Sequence, residues 1–258
     1  WAVYLDTDFA LTDRLTLSIG GRYSDEERDG RQDFELLVLS PGEGEDLRFA
    51  PNVQLFPDAV SDSRDGVVPD PFGFVVAPVE GPSSFDDFTP KIALEYRSSD
   101  ELLLYASAQE GFKSGGYNIG SSQRSPFLPE SIRGFEAGAK YQSQGGRLLV
   151  NAALFHYDYE NLQAQDSVQN QPIIRNVGEA EIDGVELEGY WRVTENFQID
   201  YSLAYLDARF TEGALTEPLR PAPADQPPGS VVQDLSGNRL PRAPEWKTNV
   251  GAQLFWPR

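Results

Sequence analysis

The stretch Glu101-Leu102-Leu103-Leu104-Tyr105-Ala106-Ser107-Ala108-Gln109, running on into Glu110-Gly111-Phe112-Lys113-Ser114-Gly115-Gly116-Tyr117-Asn118, decides how this chain is read. In its first half Leu102, Leu104, Ala106 and Ala108 fall on one face of an extended strand, and Tyr105, Ser107 and Gln109 on the other. Beyond the glycine-rich segment the alternation resumes from Ile132 to Tyr141. There Phe135, Ala137, Ala139 and Tyr141 oppose Glu136, Gly138 and Lys140. Strands of about ten residues, apolar on one side and polar on the other, are the repeating unit of a transmembrane β-barrel.

Working outward, the same period recurs. Trp1 to Ala10 and Leu15 to Ser24 form a first hairpin around Leu11-Thr12-Asp13-Arg14. Phe88 to Arg97 pairs with the opening strand across Ser98-Ser99-Asp100. Ile132 to Tyr159 turns at Ser143-Gln144-Gly145-Gly146, and the second arm, Leu148 to Tyr159, alternates too poorly for its outward face to be assigned. A fourth hairpin places Val185, Leu187, Trp191 and Val193 before Thr194-Glu195-Asn196, with Phe197, Ile199, Tyr201, Leu203 and Tyr205 after it. Trp246 to Trp256 supplies a ninth strand.

Between hairpins lie long polar segments: about Asp25 to Asp86, Glu110 to Ser131, Glu160 to Arg175, and Thr211 to Pro244. Short and long connections therefore alternate throughout. A Greek-key sandwich has no reason to keep that rhythm. An antiparallel up-and-down transmembrane β-barrel does, with short periplasmic turns and long extracellular loops. Aromatic residues agree. Phe9, Tyr96, Tyr141, Trp191, Phe197 and Trp256 lie near the short-turn end, and Trp1, Tyr23, Phe88, Phe112, Phe210 and Trp246 near the long-loop end, as two interfacial girdles would.

Composition excludes several functions. The 258 residues carry a formal net charge of −20, which leaves nothing to neutralise nucleic-acid phosphates. No cysteine is present, so neither a disulfide framework nor a thiolate metal site exists in the segment. His156 is the only histidine, which rules out a two-histidine haem site here and leaves a triad one possible base. No catalytic residue, metal site or cofactor is assigned, and His156 is expected to be a polar wall residue. The carboxylates Asp25-Glu26-Glu27 and Asp86-Asp87 lack Ca²⁺-loop spacing and read as solvated acidic loop. Asp234-Leu235-Ser236-Gly237-Asn238 is a turn signal. Gly115 and Gly116 are expected to supply positive φ in a tight outer turn. Lys113, Tyr117, Asn118 and Arg124 are the candidate ligand contacts, because binding residues gather on loops carried by rigid scaffolds. A cationic and aromatic rim suits an anionic or catecholate-like chelate.

Five segments, in order, resemble the barrel of TonB-dependent outer-membrane receptors: GGRYSDEER (Gly20–Arg28), YASAQEGFKSGGYN (Tyr105–Asn118), PE followed by FEAGAK (Pro129 to Lys140), NVGEAEIDGVELEGYW (Asn176–Trp191) and NRLPRAPEWKTN (Asn238–Asn249). The resemblance covers essentially the whole chain. It implies a barrel of about 22 strands around a plug domain, of which 1–258 would supply about nine strands from the middle. It also implies bacterial outer-membrane location, contact with outer-membrane lipid, energy passed from the TonB system through the plug, and uptake of a scarce nutrient. A ferric siderophore is the expected cargo. No plug, TonB-contacting segment or closing strand is found, and Trp1 is not a natural start, so the segment is expected to be an excerpt.

On this reading Arg22, Lys91, Glu95, Arg97, Glu136, Lys140, Glu186, Glu188 and Arg192 line the lumen, where they stay wetted and meet a plug through charge-assisted hydrogen bonds or pair across strands. Two other functions share the strand pattern. A passive porin would lack the plug. A β-rich surface adhesin would bury Leu17, Ile19, Ile199 and Leu203 in a packed core, whereas the membrane reading turns them to lipid.

Overall fold

The computed structural model describes residues 1–28, 68–69, 75–76, 83–118, 126–168, 171–216 and 231–256. Among these residues nine long strands follow one another: β1 (Ala2–Thr12), β2 (Leu15–Arg28), β3 (Ser83–Arg97), β4 (Leu102–Lys113), β5 (Glu130–Gln142), β6 (Leu148–Glu160), β7 (Gly178–Thr194), β8 (Phe197–Thr216) and β9 (Trp246–Leu254). Each pairs antiparallel with its neighbour in sequence, giving one meandering sheet. A short strand, Val232–Asp234, adds to the outer end of β8, while β9 pairs with the lower part of β8. β1 and β9 are not paired with each other, so the sheet does not close on itself.

The alternation of short and long connections holds through all nine strands. Strands extend further into the long connections than the sequence pattern indicates: β2 runs to Arg28, β3 begins at Ser83, and β8 continues to Thr216. The reason is that the ladder persists after the apolar face ends. Asp25 still pairs with Asp86, and Glu179 with Glu212. The segment after Glu160 is not wholly loop either, because Gln163–Val168 and Gln171–Asn176 form a hairpin of their own.

The register settles which residues share a face. Row by row, Leu94, Ala106, Ala137, Leu154, Val185 and Tyr205 are successive cross-strand partners on the apolar face. Glu95, Tyr105, Gly138, Ala153, Glu186 and Ala204 run along the polar face. The outward face of β6 thereby resolves to Leu148, Val150, Ala152 and Leu154, followed by His156. That histidine is not a polar-wall residue as expected. It stands at the rim of the apolar face, stacked on Phe135 at 6.5 Å and bonded to Asp183 (2.9 Å) and Asp158 (3.1 Å).

Nothing in the described chain covers the apolar face. Leu154 is 60% exposed, Ile92 50%, Ile19 46% and Leu203 39%, which is incompatible with the packed core that the adhesin reading requires. The one buried apolar cluster among the described residues, Val177, Phe210 and Leu235, sits at the outer ends of β7 and β8. Phe210 belongs to that cluster and to the polar face, so it is not a girdle residue. The other eleven girdle aromatics share apolar-face parity.

Where the apolar face gives way to charge, the boundary runs obliquely across the register. The first charged residue is Asp25 on β2 but Asp207 on β8, and the row of Asp207 meets β2 at Ile19. The boundary therefore slips by about six residues, or ~20 Å, across about 29 Å of sheet. If that boundary is level, the strands tilt by roughly 35°, and the band of four or five outward residues is roughly 25 Å tall. Both dimensions are those of a membrane-spanning barrel wall. Among the described residues no helix is long and apolar enough to cross a membrane.

Candidate functional site

Above the charged boundary the strand ends and the described parts of their connections are drawn into one rim by polar side chains. After β4, Ser114 bonds Arg28 and donates to Glu26 (2.7 Å), while Arg28 pairs with the same Glu26 carboxylate at 3.2 Å. Gly115 and Gly116 do not adopt positive φ, contrary to the sequence expectation. They are small because the backbone is crowded: a side chain on Gly115 would strike the Phe127 carbonyl and the Phe85 ring, and one on Gly116 the Phe127 ring.

Two asparagines then act as surrogate strand residues. The Ile174 N–H donates to Asn118 Oδ1 (2.6 Å) and Asn118 Nδ2 donates to the Ile174 carbonyl (2.7 Å). Asn176 does the same to Leu128, accepting from its N–H at 2.7 Å and donating to its carbonyl at 2.9 Å. A primary amide is the side chain suited to this, since it offers a donor and an acceptor side by side. Gln163 Nε2 adds bonds to the Ser114 and Leu128 carbonyls, both at 3.0 Å.

The hairpin Gln163–Asn176 is fastened on its other side by Asp166, whose side chain is 1% exposed. Its carboxylate accepts from the Thr216 N–H (3.0 Å), the Thr216 hydroxyl (3.1 Å) and the Ser167 N–H (2.7 Å), and pairs with Arg175 at 3.0 Å. A buried carboxylate is tolerated only with such partners. Asp234 begins the turn that follows, accepting from the Ser236 N–H (2.9 Å) and hydroxyl (2.7 Å), with Gly237 at φ +75°. Those bonds hold its carboxyl below the ordinary range.

On the polar face, level with the outer edge of the apolar band, the wall changes character. Phe155, Tyr157 and Tyr159 occupy successive polar-face positions of β6, half-buried, with the Phe155 and Tyr157 rings 5.2 Å apart. Each of these two rings lies over a glycine of a neighbouring strand. A Cβ on Gly134 would be 2.8 Å from the Tyr157 ring, and one on Gly184 would collide with Phe155. Tyr105 lies over Gly138 in the same way, donates to Glu136 Oε1 at 2.6 Å and carries Lys140 Nζ 5.2 Å from its ring centre. The result is a shelf of rings laid against the wall.

Of the residues singled out in the sequence, Arg22, Lys91, Glu95, Arg97, Glu136, Lys140, Glu186, Glu188 and Arg192 all fall on the polar face. None forms an ion pair among the described residues. Lys113 stands at the rim, 61% exposed and 3.8 Å from Glu130. Tyr117 is half-buried, Asn118 is committed to Ile174, and Arg124 lies outside the described residues. The β6 aromatics were not singled out, although three aromatics at every second position are a legible signal once the face of β6 is known.

The family model described as TonB dependent receptor-like, beta-barrel, matches residues 1–257. Among curated proteins, the metal-pseudopaline receptor CntO of Pseudomonas aeruginosa is 34% identical over 125 residues, 48% of this chain and 17% of the relative. The solved structure of the ferric yersiniabactin uptake receptor FyuA from Yersinia pestis superposes with a TM-score of 0.63 at 20% identity, over 97% of this chain and 30% of that one. The siderophore receptor PiuA from Acinetobacter baumannii gives 0.62 at 18% identity, over 98% and 30%. The chain thus spans under a third of the length of these relatives.

Proposed function

The chain belongs to the TonB-dependent receptor β-barrel family, and from that membership we propose that residues 1–258 form part of the barrel wall of a receptor that takes up a ferric siderophore or related metal chelate. The family implies the outer membrane, and both family and fold are those of transport receptors rather than enzymes. The observation that carries the reading is the rim: the described segments of four strand connections, joined by amide and carboxylate bonds, stand above a wall whose apolar side is uncovered. Such preorganisation suits a binding surface, because the entropy of ordering those segments is already met before ligand arrives. The polar-face charges, without ion-pair partners among the described residues, are available to a plug domain through charge-assisted hydrogen bonds. In the proposed cycle cargo settles on the rim side, TonB-derived energy moves the plug, and no bond in the cargo is broken.

The test is iron-limited growth of a host stripped of its own chelate receptors and supplied with the full-length gene. Growth on a ferric chelate that depends on a working TonB system supports the proposal. Growth independent of TonB would assign a passive channel, and no rescue by any chelate would contradict uptake altogether.

A further inference from the structure

We propose that the shelf formed by Phe155, Tyr157 and Tyr159 is the stacking surface for an aryl group of the cargo, and that the cargo is an aryl-bearing metal chelate of low net charge. This rests on the receptor reading above and deepens it to a substrate class. The shelf is anomalous for its surroundings. Lower on the same face the rows are mixed, with Asn151, Glu188, Asp200 and Ser202 among Leu149, Ala153 and Tyr190. At the level of the shelf it turns aromatic and aliphatic, with Ile132 and Ile182 beside the tyrosines and Leu206 beyond Gly184. A half-exposed patch where aromatic and aliphatic side chains gather without interruption marks a contact surface.

Its geometry specifies the contact. Because Gly134 and Gly184 lack side chains, the Tyr157 and Phe155 rings lie down on the sheet instead of standing off it. A ring so placed offers a π-face to a planar group arriving from the inward side. The charge around it specifies the rest. Glu130, Glu136 and Glu186 flank the shelf on β5 and β7, against Lys140 lower on β5 and Lys113, which stands 3.8 Å from Glu130, so the carboxylates are in excess by one. That excess of negative charge disfavours a polyanionic chelate such as a ferric tris-catecholate. It is compatible with phenolate-type chelates whose charge is nearly balanced by the metal.

The experiment uses the full-length receptor in outer membranes, with three iron-55 probes: a phenolate-type ferric chelate of low charge, a ferric tris-catecholate and a ferric hydroxamate. The wild type is expected to bind the phenolate chelate in preference to the other two. Tyr157→Leu, which keeps apolar volume but removes the π-face, is expected to weaken phenolate-chelate binding about tenfold, while Tyr157→Phe retains it. Correct insertion of both variants is read from heat-modifiable migration of the barrel. Preference for the hydroxamate or the tris-catecholate would leave the receptor reading standing and overturn this one. Equal loss of all three chelates in Tyr157→Leu would overturn it too, by assigning the shelf to the plug. Binding of no chelate by the wild type would remove both readings.

Discussion

The Asp166 carboxylate and the Thr216 backbone N–H, 50 residues apart, meet at 3.0 Å and join the hairpin after β6 to the outer extension of β8. Asp166 is buried and makes three further contacts, so this one side chain ties the hairpin to its neighbour. Asp166→Ala leaves Arg175 and two Thr216 donors without their acceptor. It is expected to lower the local opening free energy of 163–176 by about 1.5–3 kcal/mol. Hydrogen exchange across the hairpin checks this, with amides of the membrane band unchanged.

The asparagine clamps are sensitive to a subtler change. Asn176→Asp keeps shape and acceptor but removes both donors, so the bonds to the Leu128 and Asn161 carbonyls are lost. Faster exchange of the Leu128 amide and proteolytic nicking near residue 128 are expected. The barrel melting temperature stays where it was.

Face assignment predicts an asymmetric response on β8. Leu203 is apolar-face and 39% exposed, and Ser202 is polar-face, paired with Glu188 and Asn249. Leu203→Arg is expected to cost about 2–4 kcal/mol of folding free energy in bilayers. Ser202→Arg, beside a carboxylate, is expected to cost less than 1 kcal/mol. Urea-dependent folding into vesicles compares the two.

A pH effect is expected at the short-turn end. Glu101 accepts from Gln144 Nε2 (2.7 Å) and the Ser99 hydroxyl (2.9 Å), and these bonds hold its carboxyl below its ordinary 4.5. A depressed folded value means the brace is present above pH ~4.5 and is lost as pH falls through the folded value. The Gln142 N–H, which donates to the Glu101 carbonyl at 2.9 Å, should lose protection over that acid range. Glu101→Gln should flatten the dependence.

The wall was legible because its rule is local: period two, a turn, period two again. β6 resisted because both of its faces break the rule. His156 and Asp158 interrupt the apolar side, and Phe155, Tyr157 and Tyr159 invert the polar one. The rim was not legible for a different reason. Asn118 finds Ile174 and Asn176 finds Leu128 across intervals of 56 and 48 residues, and no spacing in a single sequence encodes such pairs. Gly115 and Gly116 were recognised as special but for the wrong cause, since crowding by Phe127 and positive φ leave the same mark on a sequence.

The central claim is that this chain is a barrel wall with one face to lipid and the other inward, and β6 tests it most directly. Single cysteines at 150, 151, 152, 153 and 154 of the full-length receptor, each carrying a fluorophore, can be exposed to bilayers containing nitroxide-labelled lipids. Strong quenching at 150, 152 and 154 and weak quenching at 151 and 153 is the predicted result. Quenching without alternation, or strongest at 151 and 153, would contradict it.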